Sequence, residues 1–462
     1  MSSATSRGAG LLAAPAAAIA VCLVSVWYAA LISGFTFNLF GNVFRGMVFN
    51  AMLLNLVQGR FDIPAEIIGE EGYFRGGHVY TYFGIACALL RAPMLLHPKL
   101  FAVDVTKLSI LVATSLAAFW QLRTLALVPW RGPALQALCV ALVLGGPHIA
   151  FLHPTVFEEV VHWSGTFAAY FVLQAVRGIF CGFSRAILCR MGVAAGLALL
   201  TRVSTGIGLS AAIGGLILGL AWHEVMLLQV SDRFAWILSA GRVLILRFWL
   251  PVAALLALVA LTLAVNWARW GNPLVFVDIR DQVLMNQHHP DRLTLLNATG
   301  EFNPSRIWYG LLYYFVPIWP MRGADGGLLF EAFQRRMVEA ELPPASFLLS
   351  DPLLLVLASG FVRRASGLAV AIAAGLAVPV VMMLSFAFMD YRYREEFYPL
   401  LVFAAAVALA GAPAPRPSAV AAWGLSAISI LFAHSFLLFD AIAFEGPADV
   451  GMVREFFESL GF

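Results

Sequence analysis

The sequence predicts an all-α polytopic membrane protein, and its composition and hydropathy pattern indicate that class. Of the 462 residues, 61% are hydrophobic and only 12% are charged, and the mean hydropathy is +0.85. A soluble domain with a single buried core does not reach such values. The apolar runs are continuous, whereas the strands of a transmembrane barrel alternate in polarity. Helices are therefore expected to cross the membrane.

About eleven apolar runs are long enough to cross, since a span needs roughly 20 helical residues and shorter runs are tolerated. The run 80–96 is excluded because it is short and carries Arg91 and Pro93, so we expect it to be re-entrant or interfacial. The expected spans are 12–34, 108–127, 133–151, 164–180, 186–201, 204–222, 248–266, 346–362, 367–388, 397–412 and 418–440.

We expect residues 1–462 to form a single integral membrane domain with two large outer loops, 35–107 and 267–345. Both loops contain aromatic stretches, such as the run from Trp308 to Phe315. Such stretches favour juxtamembrane helices that lie in the membrane interface.

The arginines of the short loops predict the orientation of the chain. With 80–96 left out of the spans, five consecutive short loops on one side are basic, and such loops face the cytoplasm. The charged segments at the opposite ends of the spans would then face outward. The loop arginines are Arg123, Arg131, Arg177, Arg185, Arg190, Arg233, Arg242, Arg247, Arg363, Arg364 and Arg416.

The charges argue against a nucleic-acid-binding protein, and the cysteines argue against a cysteine-based metal or redox site. The net charge is only +3, and the basic residues are scattered, so no nucleic-acid partner is expected. The five cysteines form no CxxC pair and lie in or beside apolar runs, which is typical of packing residues.

The run from Leu11 to Phe35 is longer than a signal-peptide core, and we interpret it as the first span.

Three charged, aromatic-rich segments between apolar runs are the expected site, because ionisable groups beside spans are functional hypotheses by default. They are 60–80, 157–159 and 390–396. In the first, Asp62 could accept a proton from a hydroxyl if an apolar surface raised its pKa. The alternative is an aspartate that ends a helix before Pro64.

The second segment contains two adjacent glutamates, Glu158 and Glu159, with His153 and His162 nearby. Neighbouring residues on a helix point about 100° apart, so only one glutamate can face a given cavity. The spacing does not fit a zinc motif, and we assign no metal ligands. A carboxylate that orients a substrate is the better interpretation.

Arginines beside or within the spans favour an anionic substrate. Arg202 interrupts an apolar hairpin, and Arg392 and Arg394 lie beside tyrosines. An arginine at hydrocarbon depth costs about 3 kcal/mol on insertion scales, which a phosphate partner would offset. The alternatives are snorkelling to the interface and, for Arg394, pairing with Glu395 or Glu396.

Several runs resemble the outer loops of membrane glycosyltransferases of the GT-C superfamily, the polyprenyl-phosphate-sugar enzymes related to protein O-mannosyltransferases and the lipid A aminoarabinose transferase. The resemblance extends over about 60–410, in the correct order. The matching runs are 59–62 (Gly-Arg-Phe-Asp), 77–84 (Gly-His-Val-Tyr-Thr-Tyr-Phe-Gly), 157–159 (Phe-Glu-Glu), 266–273 (Asn-Trp-Ala-Arg-Trp-Gly-Asn-Pro) and 392–399 (Arg-Tyr-Arg-Glu-Glu-Phe-Tyr-Pro).

The resemblance implies a GT-C-like fold and transfer of a sugar from a polyprenyl phosphate to an envelope lipid, glycan or protein at the outer face of a bacterial inner membrane, by a monomer among membrane lipids. It implies Asp62 as general base, with Glu66 or Glu70 as substitutes, and Glu158 or Glu159 as acceptor partner or catalytic partner. A divalent metal is possible but is not required by the sequence. The implied phosphate ligands are Arg392 and Arg269, with Arg202 and Arg394 as further candidates, and the expected substrate-binding residues are His78, Tyr80, Tyr82, Tyr391 and Tyr393.

Two other classes of function are compatible with apolar spans and buried charges. A transporter or flippase for lipid-linked sugars usually has repeated halves with broken helices, and the sequence contains no internal repeat. A non-catalytic scaffold would not need acidic residues from distant loops on one side of the membrane.

Overall fold

The computed structural model describes residues 14–130, 132–151, 153–227, 233–317, 337–340, 346–410 and 417–444, and most of them are helical. In chain order the helices are α1 (Ala14–Ile32), α2 (Val48–Val57), α3 (Ala65–Ile68), α4 (Ala86–Leu89), α5 (Thr106–Ala126), α6 (Pro133–Leu144), α7 (Val156–Cys181), α8 (Arg185–Leu199), α9 (Val203–Leu227), α10 (Arg233–Trp270), α11 (Val283–His288), α12 (Pro290–Thr299), α13 (Ile307–Phe315), α14 (Phe347–Ser350), α15 (Pro352–Ser359), α16 (Gly367–Ser385), α17 (Tyr398–Ala410) and α18 (Ala419–Phe444).

Seven helices in the described part of the chain are long and apolar enough to cross a membrane, as expected for a multi-pass membrane protein. They are Ala14–Ile32, Thr106–Ala126, Pro133–Phe151, Val203–Leu227, Leu246–Trp270, Gly367–Ser385 and Ala419–Leu438. These confirm seven of the predicted spans by length and composition.

The predicted count of eleven spans is not confirmed. The run 164–180 lies in α7, whose first turns carry Glu158 and Glu159. The runs 186–201 and 397–412 form helices of only 15 and 13 residues, and 346–362 is divided between α14 and α15. Residues 12–13, 411–412, Arg131 and Arg416 lie outside the described residues.

The core is built by α7, α8, α9, α16 and α17, which share one cluster of buried apolar side chains. Small residues allow a close approach between α9 and α16. A Cβ added at Gly375 would lie 2.2 Å from the backbone of Ala212. Such small-residue contacts are typical of helices that pack within a bilayer.

The run 80–96 is not one continuous helix. It contains α4 and then a 3₁₀ helix, Ala92–Leu96, because Pro93 cannot supply a backbone donor. Before it, strands β1 (Tyr73–Arg75) and β2 (His78–Tyr80) form an antiparallel hairpin with Arg75 opposite His78. Both turn residues, Gly76 and Gly77, have positive φ, as a two-residue hairpin turn of this kind requires.

A second, two-residue pairing joins the loop 267–345 to the segment after α16. Strand β3 (Glu339–Ala340) runs parallel to β4 (Phe388–Met389), with Glu339 opposite Phe388. The 3₁₀ helix Tyr391–Glu396 follows directly. This pairing positions the charged segment 390–396 against the loops. Residues 318–336 and 341–345 of the second loop lie outside the described residues.

Candidate active site

A cavity of about 480 Å³ lies at the end of the helical bundle where α7 begins. Its walls come from residues 70–82, 153–158, 277–301 and 386–393, so it joins the loops 35–107 and 267–345 to the start of α7 and the segment after α16. Its ionisable lining residues, tyrosines aside, are Glu70, Glu71, His153, Glu158, His289, Arg292, Glu301, Asp390 and Arg392.

The N-terminus of α7 fixes the position of Glu158. Thr155 caps the helix through a capping box, in which the backbone N–H of Thr155 donates to Oε2 of Glu158 at 3.0 Å. Oε1 of the same carboxylate accepts from Arg392 at 3.2 Å and from the Tyr391 hydroxyl at 3.4 Å. Glu158 therefore caps the helix through Oε2, while Oε1 contacts Arg392 and Tyr391 at the cavity.

Glu159 points away from the cavity. Its Oε2 accepts from Arg91 Nη2 at 2.7 Å, and both side chains are almost fully buried. Arg91 also donates to Asn50 at 2.8 Å. Of the two adjacent glutamates, Glu158 is thus the one beside the cavity, and Glu159 ties the run 86–96 to α7.

Arg392 lies between two carboxylates, Glu158 and Asp390, and forms ion pairs with both. Its guanidinium carbon lies 4.7 Å from the centre of the Phe157 ring. Asp390 also caps the 3₁₀ helix by accepting from the Arg392 backbone N–H at 2.9 Å. These contacts hold the Arg392 side chain in place, and the residue lines the cavity.

Tyrosines and a histidine complete the wall on this side. The Tyr391 hydroxyl lies 3.0 Å from Nδ1 of His153. Tyr393 lines the cavity and lies beneath the Arg202 guanidinium at 4.8 Å. Tyr82 also lines the cavity, beside Tyr73. Tyr82, Tyr391 and Tyr393, three of the expected substrate-binding residues, therefore meet at one cavity.

The other expected arginines have different surroundings. Arg202 pairs with Glu396, and Arg394 pairs with Asp351 at 2.6 Å. Arg269 is buried, donates to the carbonyl of Phe83 at 2.7 Å and borders a separate cavity of about 20 Å³. The roles of these arginines as phosphate ligands stay predictions.

Asp62 does not line the cavity. It accepts from Arg60 at 2.6 Å and lies 3.3 Å from His78. The hydrogen bond from Arg60 lowers the pKa of Asp62, which makes the carboxylate a weaker proton acceptor. Tyr80, next to His78, packs on Trp270. The roles of these residues stay predictions, and Glu70, a substitute for Asp62, does line the cavity.

Residues from the loop 267–345 complete the cavity, and sequence reasoning missed them. Glu70 lies 2.9 Å from His288, and Glu71 accepts from Gln282 at 2.9 Å, so α11 lies across the first loop. Glu301 accepts from a loop backbone N–H at 3.3 Å. No sequence motif marks these residues, and Glu71 lies 211 positions from its partner Gln282.

The lining carries carboxylates and two histidines, which are chemically able to bind a divalent cation. Within the described residues, however, no three His, Cys, Asp or Glu side chains are arranged to hold a metal ion.

The chain matches no protein-family model and no curated protein. A structure of the archaeal oligosaccharyltransferase AglB from Archaeoglobus fulgidus, in complex with an inhibitory peptide and a dolichol-phosphate, is similar to 96% of this chain at 13% identity and a TM-score of 0.44. The chain spans 59% of that protein's length. This similarity is too low to support an argument about activity.

Proposed function

We propose that this chain is a membrane glycosyltransferase that moves a sugar from a polyprenyl-phosphate donor to a lipid or glycan acceptor at the outer face of the membrane. One observation carries the proposal: Glu158, at the start of α7, converges at one cavity with Arg392 and Tyr391, which follow the long apolar helix α16. A guanidinium that could bind a phosphate and a carboxylate that could accept a proton are thus adjacent.

The donor phosphate would bind the Arg392 fork. A guanidinium binds phosphate through two parallel hydrogen bonds. Arg392 already binds oxygens of two carboxylates, those of Glu158 and Asp390. A phosphate that replaces Glu158 on the fork would release Oε1 of that carboxylate. Binding of the donor would therefore prepare the base.

The transfer step would then use Glu158 as general base. The acceptor oxygen forms a bond to the anomeric carbon, the bond from that carbon to the phosphate oxygen breaks, and Glu158 takes the hydroxyl proton. The bonding electrons leave with the polyprenyl phosphate, whose growing charge Arg392 stabilises. Attack from the side opposite the phosphate inverts the anomeric configuration.

The decisive experiment measures binding and transfer separately. Purified protein in lipid nanodiscs receives a polyprenyl-phosphate sugar labelled in the sugar, with envelope lipids as acceptors. We expect label in the acceptor and free polyprenyl phosphate in equal amounts. Tight donor binding without transfer would contradict the proposal and favour a transporter of lipid-linked sugars.

A further inference from the structure

The segment between α1 and α2 exposes four aromatic side chains in sequence. Phe35, Phe37, Phe40 and Phe44 are each more than half exposed, and we call them the aromatic strip. The strip continues from the end of α1, where Phe35 packs edge-on against Trp27 at 5.7 Å. Contiguous exposed apolar side chains mark binding or membrane surfaces.

The backbone that presents the strip is held in an unusual conformation. Phe35, Phe37 and Arg45 have φ values of 62°, 56° and 56°, a region that non-glycine residues adopt only at a cost. Asp104 accepts from the Val43 N–H at 2.9 Å and holds the loop in place. Costly conformations that surrounding contacts enforce are frequent where a ligand is gripped.

Arg45 follows the strip and has an incomplete set of partners. Its guanidinium carbon lies 4.8 Å from the centre of the Phe44 ring, and a Cβ added at Gly69 would lie 2.0 Å from its Nη2. Its Nε is buried without a hydrogen-bond partner. None of the ion pairs found within the described ranges involves Arg45.

The strip and Arg45 adjoin the large cavity. The Phe44 ring stacks on Phe157 at 6.4 Å, and Phe157 in turn carries the Arg392 guanidinium. On its other side Arg45 contacts Gly69, whose neighbours Glu70 and Glu71 line the cavity. The surface therefore runs from the end of a membrane span to the cavity rim.

We propose that this surface is the docking site of the polyprenyl phosphate, with the isoprenoid chain along the aromatic strip and the phosphate on Arg45; this rests on the proposed function. The cation without a carboxylate partner suits a phosphate. A row of exposed rings suits one long apolar chain. From this site the headgroup can pass Phe157 to reach Arg392.

The first test compares polyprenyl phosphate with polyprenol, which has the same chain without the charge. Binding to the full-length protein is measured in nanodiscs of phosphatidylcholine. Wild type should prefer the phosphate, and Arg45→Ala should lose about tenfold or more of that preference, because a charge-assisted hydrogen bond is lost. Lys99→Ala, an exposed cation in the same loop, should keep it.

Arg45→Gly guards against misfolding, since glycine adopts the positive φ of this position without strain. It should fold at least as well as wild type and bind polyprenyl phosphate as weakly as Arg45→Ala. The double variant Phe37→Ser, Phe40→Ser should weaken binding of both polyprenyl phosphate and polyprenol. Unchanged binding in Arg45→Gly would overturn the proposal.

Competition identifies the source of the phosphate. Phosphatidylglycerol offers a phosphate on two acyl chains and should displace polyprenyl phosphate only at large excess. Displacement at equal concentration would mean that Arg45 binds bulk anionic lipid, and would overturn the docking site. If wild type transfers sugar and Arg45→Gly binds the lipid normally, the docking site alone is refuted. If lipid binding depends on Arg45 but no transfer occurs, the glycosyltransferase activity alone is refuted.

Discussion

At the scale of single residues, the candidate site depends on arginine geometry. Arg392 contacts Glu158 and Asp390 through different nitrogens of its guanidinium, an arrangement that a point charge cannot reproduce. The sequence predicts Arg392 as a phosphate ligand because it lies between tyrosines at the start of an apolar run, and this role stays a prediction. It could not indicate Glu158 as its partner, 234 positions away.

Arg392→Lys keeps the positive charge and removes the fork, so we expect the KM for the donor to rise about tenfold, with Arg392→Ala higher still. Steady-state transfer with a polyprenyl-phosphate sugar measures this. Arg280→Lys is the matched control, because Arg280 also binds a carboxylate, Asp278, through two nitrogens, Nε and Nη2, but does not line the cavity. Equal KM values in all three variants would exclude Arg392 from donor binding.

Glu301 gives a pH-dependent prediction. Burial raises the pKa of this carboxyl. The folded state therefore binds the proton more tightly than the unfolded chain does. As pH rises through the pKa of the unfolded chain, the free energy of unfolding falls, because the unfolded chain then releases the proton while the folded state still holds it. Glu301→Gln still accepts from the Ile279 N–H and carries no charge. Its Tm should exceed that of wild type at pH 7 and match it below about pH 4, as measured by thermal unfolding in detergent. A Tm difference of the same size at both pH values would contradict this explanation.

At the scale of elements, the segment 390–396 distributes its charges among different neighbours. Arg392 faces the cavity, Arg394 pairs with Asp351, and Glu396 pairs with Arg202. From the sequence, Arg394 could pair with Glu395 or Glu396; the structure instead pairs it with Asp351, 43 positions earlier. Local spacing could not reveal this, because a 3₁₀ turn directs neighbouring side chains to different helices.

The buried pair of Arg91 and Glu159 holds the run 86–96 against α7, and we expect it to be structural. Glu159→Met alone leaves a buried, uncompensated arginine and should destabilise the protein by about 3–5 kcal/mol. The double variant Arg91→Met, Glu159→Met should recover much of this loss, and its transfer activity per folded molecule should be close to wild type. Reversible unfolding and activity measured on the same samples test both statements. A double variant that is stable but inactive would assign Glu159 to catalysis.

At the scale of the whole molecule, hydropathy predicted the seven long apolar helices because each is a continuous run of spanning length. It could not fix the boundaries of α8 and α17, which are shorter than a bilayer is thick. The sequence predicted three separate segments that line the cavity, but not the contacts that bring them together. Its fourth wall, 277–301, is an ordinary polar loop in sequence and gains its role only through tertiary contacts with Glu70 and Glu71.

The arginines of the short loops predict that the cavity faces outward. In a cysteine-free background, His288→Cys beside the cavity should react with a membrane-impermeant thiol reagent added to intact cells. Arg363→Cys should react only after lysis. Both side chains are exposed, so reactivity reports the side of the membrane and not burial. Labelling of Arg363→Cys alone in intact cells would mean that the orientation is inverted.

The most direct test of the central claim is sugar transfer by Glu158→Gln. The amide keeps the size of the side chain and an oxygen for the helix cap but cannot accept the acceptor proton, so turnover should fall by about two to four orders of magnitude while donor binding persists. Glu224→Gln, which alters an ion-paired glutamate near the opposite end of the bundle, should transfer at the wild-type rate. Near-normal transfer by Glu158→Gln, with correct folding, would contradict the account and return the role of base to Asp62, Glu66 or Glu70.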